Sequence, residues 1–231
     1  MAENSGSLGI GELNEQPLHA ALKNRYAGEG DQLEAQVDGF VIDILRGDRL
    51  IEIQTGHFSA LKAKLRALVR DHPVTLIYPI AREKWLYKLP KPDWDGPRRR
   101  KSPRRGRLEE VFEELVSFPE LLAEDRFTLQ VVLIQEEEVR RFTGRKMWWN
   151  NGWERVERRL LDVVEEQVFS KPDQLSGLLP PELPDPFTTA DLARALDSNR
   201  RLAQKMAYCL RKLALIEKVG HQGRSYLYRR A

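Results

Sequence analysis

Val41-Ile42-Asp43-Ile44-Leu45-Arg46-Gly47-Asp48-Arg49-Leu50-Ile51-Glu52-Ile53-Gln54 reads as two apolar strands joined by a tight turn at Gly47-Asp48. Glycine supplies the positive φ that a two-residue hairpin requires. Closing the hairpin there sets Arg46 against Arg49, Leu45 against Leu50, Ile44 against Ile51 and Asp43 against Glu52, with Gln54 further along the same face as Glu52. Two carboxylates opposite one another in an otherwise apolar ribbon repel unless something neutralises them. Hard oxygen ligands at that separation suit a divalent cation such as magnesium or manganese. Asp38 competes with Asp43 for this role, but alternation places it on the face opposite Glu52 unless a bulge intervenes near Gly39.

Outward from the hairpin, residues 12 to 26 read as a helix with Leu13, Leu18, Ala21 and Leu22 inward. Glu12, Glu15 and His19 share one of its faces, and His19 is expected to hydrogen-bond the carboxylate site. Residues 58 to 70 form an amphipathic helix with Lys62 and Lys64 outward. Val74 to Ile80 is a strand, with residues 83 to 89 as its return. Pro90 to Arg107 has four prolines, and seven of its last ten residues are basic, so a mobile loop is expected. A helix over Leu108 to Leu122 and a strand over Phe127 to Gln135 follow. The order indicates an α/β unit with a small mixed sheet flanked by helices.

The chain divides as a flexible start (1–10), this unit (11–138), a connecting tryptophan-rich and helical segment (139–169), a proline-rich linker (170–186) and a C-terminal unit (187–231). That last unit reads as a helix capped by Thr188 or Thr189, a second helix over Arg200 to Leu213, and a hairpin from Leu215 to Arg229.

Composition narrows the function classes. Apolar residues make up 41% of the 231 and charged residues 32%, a globular balance. The longest apolar runs are too short to span a bilayer and residues 1 to 10 lack a leader pattern, so a cytoplasmic protein without membrane contact is expected. One cysteine, Cys209, excludes an internal disulfide and a cysteine-based zinc site. The net charge of +3 conceals an asymmetry: residues 1 to 80 hold 8 Lys/Arg against 11 Asp/Glu, and residues 188 to 231 hold 10 against 3. An acidic site joined to a basic module suits a polyanionic substrate.

With these elements in order, the N-terminal half resembles the PD-(D/E)XK, restriction-endonuclease-like nuclease superfamily. Its pattern is an acidic residue on a first helix, an Asp on one strand, Glu-x-Lys on the next, and then a helix. Here these are Glu12 or Glu15, Asp43, Glu52-Ile53-Gln54 and the helix from Phe58. The resemblance implies phosphodiester cleavage with Mg2+ or Mn2+ held by Asp43 (or Asp38), Glu52 and the Ile53 carbonyl. Gln54 stands where lysine is usual and carries no charge. Some members have Glu-x-Gln, and some take the lysine from the next helix, where Lys62 and Lys64 are available.

The C-terminal unit resembles a winged helix, which implies that its second helix enters a DNA groove. Arg200, Arg201, Lys205, Arg211 and Lys212, with Arg224 on the wing, would then reach phosphates or bases. Arg98, Arg99, Arg100, Lys101, Arg104 and Arg105 could clamp the backbone. Trp148, Trp149 and Trp153 could stack on bases, although packing is the better expectation. The partner expected is duplex or branched DNA, and a homodimer would suit cutting both strands. The alternative is a non-catalytic DNA-binding protein or regulator on a degenerate nuclease fold.

Overall fold

A computed structural model describes residues 17–91, 93–94, 96–145 and 151–231. Its centre is a seven-stranded mixed sheet. α1 (Pro17–Tyr26) precedes a meander of β1 (Gln32–Val37), β2 (Phe40–Arg46) and β3 (Arg49–Ile53). A 3₁₀ turn at Phe58–Ala60 and α2 (Lys62–Leu68) lead to the long β4 (Val74–Lys88), and β5 (Arg98–Lys101) follows. Short turns and α3 (Phe112–Leu115) precede the long strands β6 (Phe127–Phe142) and β7 (Trp153–Phe169). The order across the sheet is β1-β2-β3-β4-β6-β7, with β5 also on β4. The meander and β6–β7 pair antiparallel, while β3–β4 and β4–β6 pair parallel. The α2 crossover allows the parallel β3–β4 step.

The hairpin has the register read from its sequence: Arg46↔Arg49, Leu45↔Leu50 and Ile44↔Ile51, with Gly47 at φ 59. Both faces of the sheet are covered, which is why its central strands are apolar on both sides. Leu18 and Leu22 of α1 pack on Ile44, Ile51, Ile53, Ile77, Val132 and Ile134. The opposite face packs Ile42, Leu50 and Leu76 against Leu65 and Leu68 of α2 and Phe112 and Leu115 of α3. There Phe58 stacks on Phe118 at 5.2 Å and meets the edge of Tyr78 at 4.8 Å. Burying each such ring is worth roughly 2–3 kcal/mol.

Several elements differ from the sequence reading. Residues 154 to 169 form β7 rather than a helix, so the connecting segment completes the sheet. Three bulges explain the misreading: Val156, Leu161 and Val164 each fall between consecutive ladder pairs with β6. Each bulge resets the two-residue alternation, so the apolar residues recur at helix-like spacing. The expected helix over 108 to 122 is a series of short turns around α3, bent at Pro119. Residues 83 to 88 continue β4 instead of returning as a hairpin.

The expected mobile loop at 90 to 107 contains β5, paired from Arg98↔Lys88 to Lys101↔Trp85. Its end is fastened by Gly106, whose N–H donates to the Ala81 carbonyl at 3.0 Å. A Cβ at Gly106 would lie 2.5 Å from that oxygen, so only glycine allows this approach. The proline-rich stretch is likewise not a free linker, because Leu175, Leu179 and Leu183 enter the core.

The C-terminal unit consists of α4 (Thr189–Ala195), α5 (Arg200–Lys212) and the antiparallel hairpin β8 (Ile216–Gln222) and β9 (Ser225–Arg230). Thr188 caps α4 in a capping box with Asp191, and the Asn199 side chain caps α5. Met206, Cys209 and Leu210 of α5 join the same core as the sheet. Lys205 Nζ bonds the Glu113 carboxylate at 2.6 Å and fastens α5 to α3. Burial pushes the Cys209 thiol up to about 12, leaving it a packing residue. No helix among the described residues is long and apolar enough to cross a membrane.

Candidate active site

The β2–β3 ladder ends at Ile44↔Ile51, one residue before Asp43 and Glu52. The reason lies on the neighbouring strand. Between the pairs Leu33↔Ile44 and Ala35↔Ile42, Glu34 takes φ 52. Ile42 and Ile44 consequently enter the cores on opposite sides of the sheet, where strict alternation would put them together. Asp43 sits at this break, and its Oδ2 accepts the Ile53 N–H at 2.7 Å.

The same oxygen lies 3.2 Å from His19 Nε2 on α1, the partner role expected of His19. Glu52 is only 4% exposed, and its Oε1 receives Lys64 Nζ from α2 at 2.6 Å. Lys64 also bonds the Val41 carbonyl, which anchors it between β2 and β3. The site therefore draws on both layers of helices, with His19 behind Asp43 and Lys64 over Glu52.

The two carboxylates are held differently. Burial works to raise the Asp43 carboxyl, but His19, the Ile53 N–H and Lys64 together outweigh it and hold it below the usual range. Glu52 is pushed up to about 7, first by burial and then by the nearby Asp43 charge, with Lys64 pulling the other way. A raised carboxyl pKa favours the folded state while protonated. That contribution is complete below the ordinary value of 4.5 and is lost as pH rises through about 7. Chemical denaturation of the cation-free protein should therefore show a decline in stability over this window. Glu52→Gln is expected to flatten it; an unchanged slope would place the titration elsewhere. Asp43 has the opposite sign, and its contribution is lost only as pH falls below the ordinary carboxylate range.

Other expected residues fall elsewhere. Asp38 occupies the β1–β2 turn at φ 50, and its carboxylate meets His72 Nε2 at 2.8 Å, so it is not brought to Glu52. The Gln54 amide donates to the Gly56 carbonyl. Lys62 faces Glu120 at 4.0 Å, beside Arg66, and leaves Lys64 as the lysine at the site. Glu12 and Glu15, and with them Trp148 and Trp149, lie outside the described residues. Trp153 is buried against Trp94 and Phe142, with Lys88 over its ring at 4.2 Å.

The basic run is largely engaged within the chain. Arg99 bonds Glu137 at 2.7 Å, Lys101 bonds Glu83 at 2.7 Å, Arg104 bonds Glu110 at 3.0 Å, and Arg105 lies 3.4 Å from Glu83. Arg98 stacks on Trp94 at 4.0 Å. Arg100 is exposed on β5 opposite Leu86 of β4. On α5, Lys205 and Arg201 turn to Glu113, whereas Arg200 and Arg211 line a groove with Arg224 of the hairpin. Lys212 lies 5.9 Å over the Tyr208 ring.

Sequence reasoning missed a second polar cluster. β3 and β5 pair with successive parts of the same edge of β4, and a cleft of about 420 Å³ opens between them. Thr55, Lys84, Arg140 and Arg158 are among its lining residues. Glu136, 0% exposed, is held there by Arg158 Nη2 at 2.6 Å and Lys84 Nζ at 2.9 Å. Three consecutive glutamates inside an apolar strand, Glu136 to Glu138, were the available signal.

Residues 16–170 match a family described as a domain of unknown function, DUF8091. The chain belongs to the DUF8091 family. The DUF8091 match ends one residue beyond β7, so it coincides with the sheet and its covering elements. An uncharacterized protein of Treponema pallidum (strain Nichols) is 28% identical over 225 residues, covering 96% of this chain and 87% of its own. That similarity extends past the DUF8091 part into the C-terminal unit. No solved structure matches the chain.

Proposed function

We propose that the protein is a divalent-cation-dependent nuclease of the restriction-endonuclease-like kind, with the C-terminal unit binding DNA as a winged helix. The observation that carries this reading is Lys64 Nζ at 2.6 Å from Glu52. It supplies, from the following helix, the positive charge that Gln54 lacks. The strand order supports the same reading, with a helix and a three-stranded meander followed by a helix and a parallel strand.

The donor set fits Mg2+ or Mn2+. Asp43 and Glu52 offer hard oxygens, and His19 and the Ile53 N–H both meet Asp43 at Oδ2. Among the described residues no three His, Cys, Asp or Glu side chains form a metal cage. Magnesium commonly binds through one or two carboxylates and retains waters. Asp43, Glu52 and the Ile53 carbonyl would hold the ion, which when bound supplies an acidified water and charge compensation at the phosphate. His19 orients Asp43. Lys64 pulls against the burial and the Asp43 charge that raise Glu52, and it carries the charge that can meet a phosphate oxygen.

Lys64→Met is expected to lower DNA cleavage in Mg2+ or Mn2+ on the order of 10²-fold, the scale of losing one transition-state donor. Gln54→Lys in that background should recover part of the loss. Cleavage indifferent to Lys64 would remove it from the mechanism. The second reading, a non-catalytic DNA-binding scaffold, is favoured by the burial of Glu52 and by Gln54 turning to Gly56. It predicts no cation-dependent cleavage from any variant.

A further inference from the structure

The cations of this protein fall into two populations. Those of the sheet are mostly paired, as at Glu83, Glu136, Glu137 and Glu138. The groove between α5 and the β8–β9 hairpin is different. Arg200, Arg211, Lys218 and Arg224 line it, and no Asp or Glu does. Among the described residues none of the four forms an ion pair.

Of the three tyrosines that line the groove, Tyr228 is buried and the other two are exposed. Tyr208 is 39% exposed and Tyr226 is 49% exposed. The Lys218 ammonium lies 3.6 Å over the Tyr226 ring. Arg200, Gln204, Tyr208 and Arg211 follow one another at helical spacing, so one stripe of α5 presents a charge, an amide, a ring and a charge along the groove. The opposite stripe is fixed in the core through Met206 and Leu210.

We infer that this groove binds single-stranded nucleic acid, with phosphates on the four cations and bases stacked on Tyr208 and Tyr226. The inference rests on reading the C-terminal unit as a nucleic-acid binder; it does not depend on catalysis at Glu52. Unpaired cations without carboxylates give a track for a polyanion. Exposed tyrosines select the kind of polyanion, because only a base that has left its own stack can lie on their rings. The shape agrees. At about 700 Å³ the groove is concave and has room for an unpaired strand.

The test is equilibrium binding of fluorescent oligothymidylate, oligouridylate and a duplex of equal length to the full chain, across a salt series. Either single strand should bind at least about tenfold more tightly than the duplex, and the two strands together identify the preferred sugar. Tyr208→Ala with Tyr226→Ala should weaken single-strand binding about tenfold or more. Phenylalanine at both positions should preserve it. Arg211→Gln with Lys218→Gln should lower the logarithmic salt slope by about 1.4, at roughly 0.7 per phosphate contact. Duplex binding as tight as single-strand binding, or loss with phenylalanine equal to that with alanine, overturns the single-strand inference while leaving a nucleic-acid binder. Absence of binding to all three at low salt overturns both.

Discussion

Glu52→Ala is expected to lower cation-dependent cleavage on the order of 10³-fold or more, and Asp43→Ala to do the same. Each carboxylate would be half of the protein's charge on the cation, and a lost transition-state contact of about 4 kcal/mol corresponds to three powers of ten. The two variants should not behave alike in stability. Removing Glu52 relieves a buried carboxylate raised by its neighbour, although it leaves Lys64 without its partner. Removing Asp43 leaves the Ile53 N–H unsatisfied and His19 without this carboxylate. Cleavage measured beside denaturation therefore separates loss of chemistry from loss of fold. Equal cleavage by wild type and Glu52→Ala would exclude this site as its source.

The largest effect on stability is expected at Arg158, far from the carboxylates in sequence. Its guanidinium bonds Glu136 through Nε at 2.9 Å and Nη2 at 2.6 Å and reaches the Thr55 carbonyl at 3.3 Å. Arg158→Met leaves a fully buried carboxylate with Lys84 as its remaining cation. Breaking such a buried pair costs about 3 kcal/mol or more. That corresponds to a fall of roughly 6–12 °C in Tm for a chain of this size. Glu136→Leu combined with Arg158→Met should regain most of the loss, because the stranded charge has gone. Arg159→Met, at the exposed pair with Glu157, should cost less than about 1 kcal/mol. Comparable losses at the two arginines would show that burial of Glu136 is not the cause.

Glu136 also marks the limit of what could be read from the sequence. The hairpin was legible because Asp43 and Glu52 interrupt an otherwise apolar alternation and Gly47 permits one register. Lys64 was legible only as one of two lysines on a helix, since the choice depends on how α2 lies over β3. β7 was illegible for a definite reason. Bulges at Val156, Leu161 and Val164 produce a helix-like spacing in a strand, and nothing local distinguishes the two. The basic run at 98 to 107 was expected to be mobile because Glu83 and Glu137, which pair with Lys101 and Arg99, become neighbours only once β4 and β6 extend past the body of the sheet. Local composition suggested a mobile clamp, and long-range pairing turned it into a strand.

The nuclease proposed here would have its carboxylates in the sheet and its polyanion track on α5. In it Asp43 and Glu52 would clasp a divalent cation. The most direct measurement is a Mn2+ titration of the protein followed by electron paramagnetic resonance, beside the same titration of the Asp43→Asn, Glu52→Gln double variant. Saturable Mn2+ binding is expected of the wild type, displaced by Mg2+ and absent from the folded double variant. No binding by the wild type, or equal binding by both proteins, would contradict it.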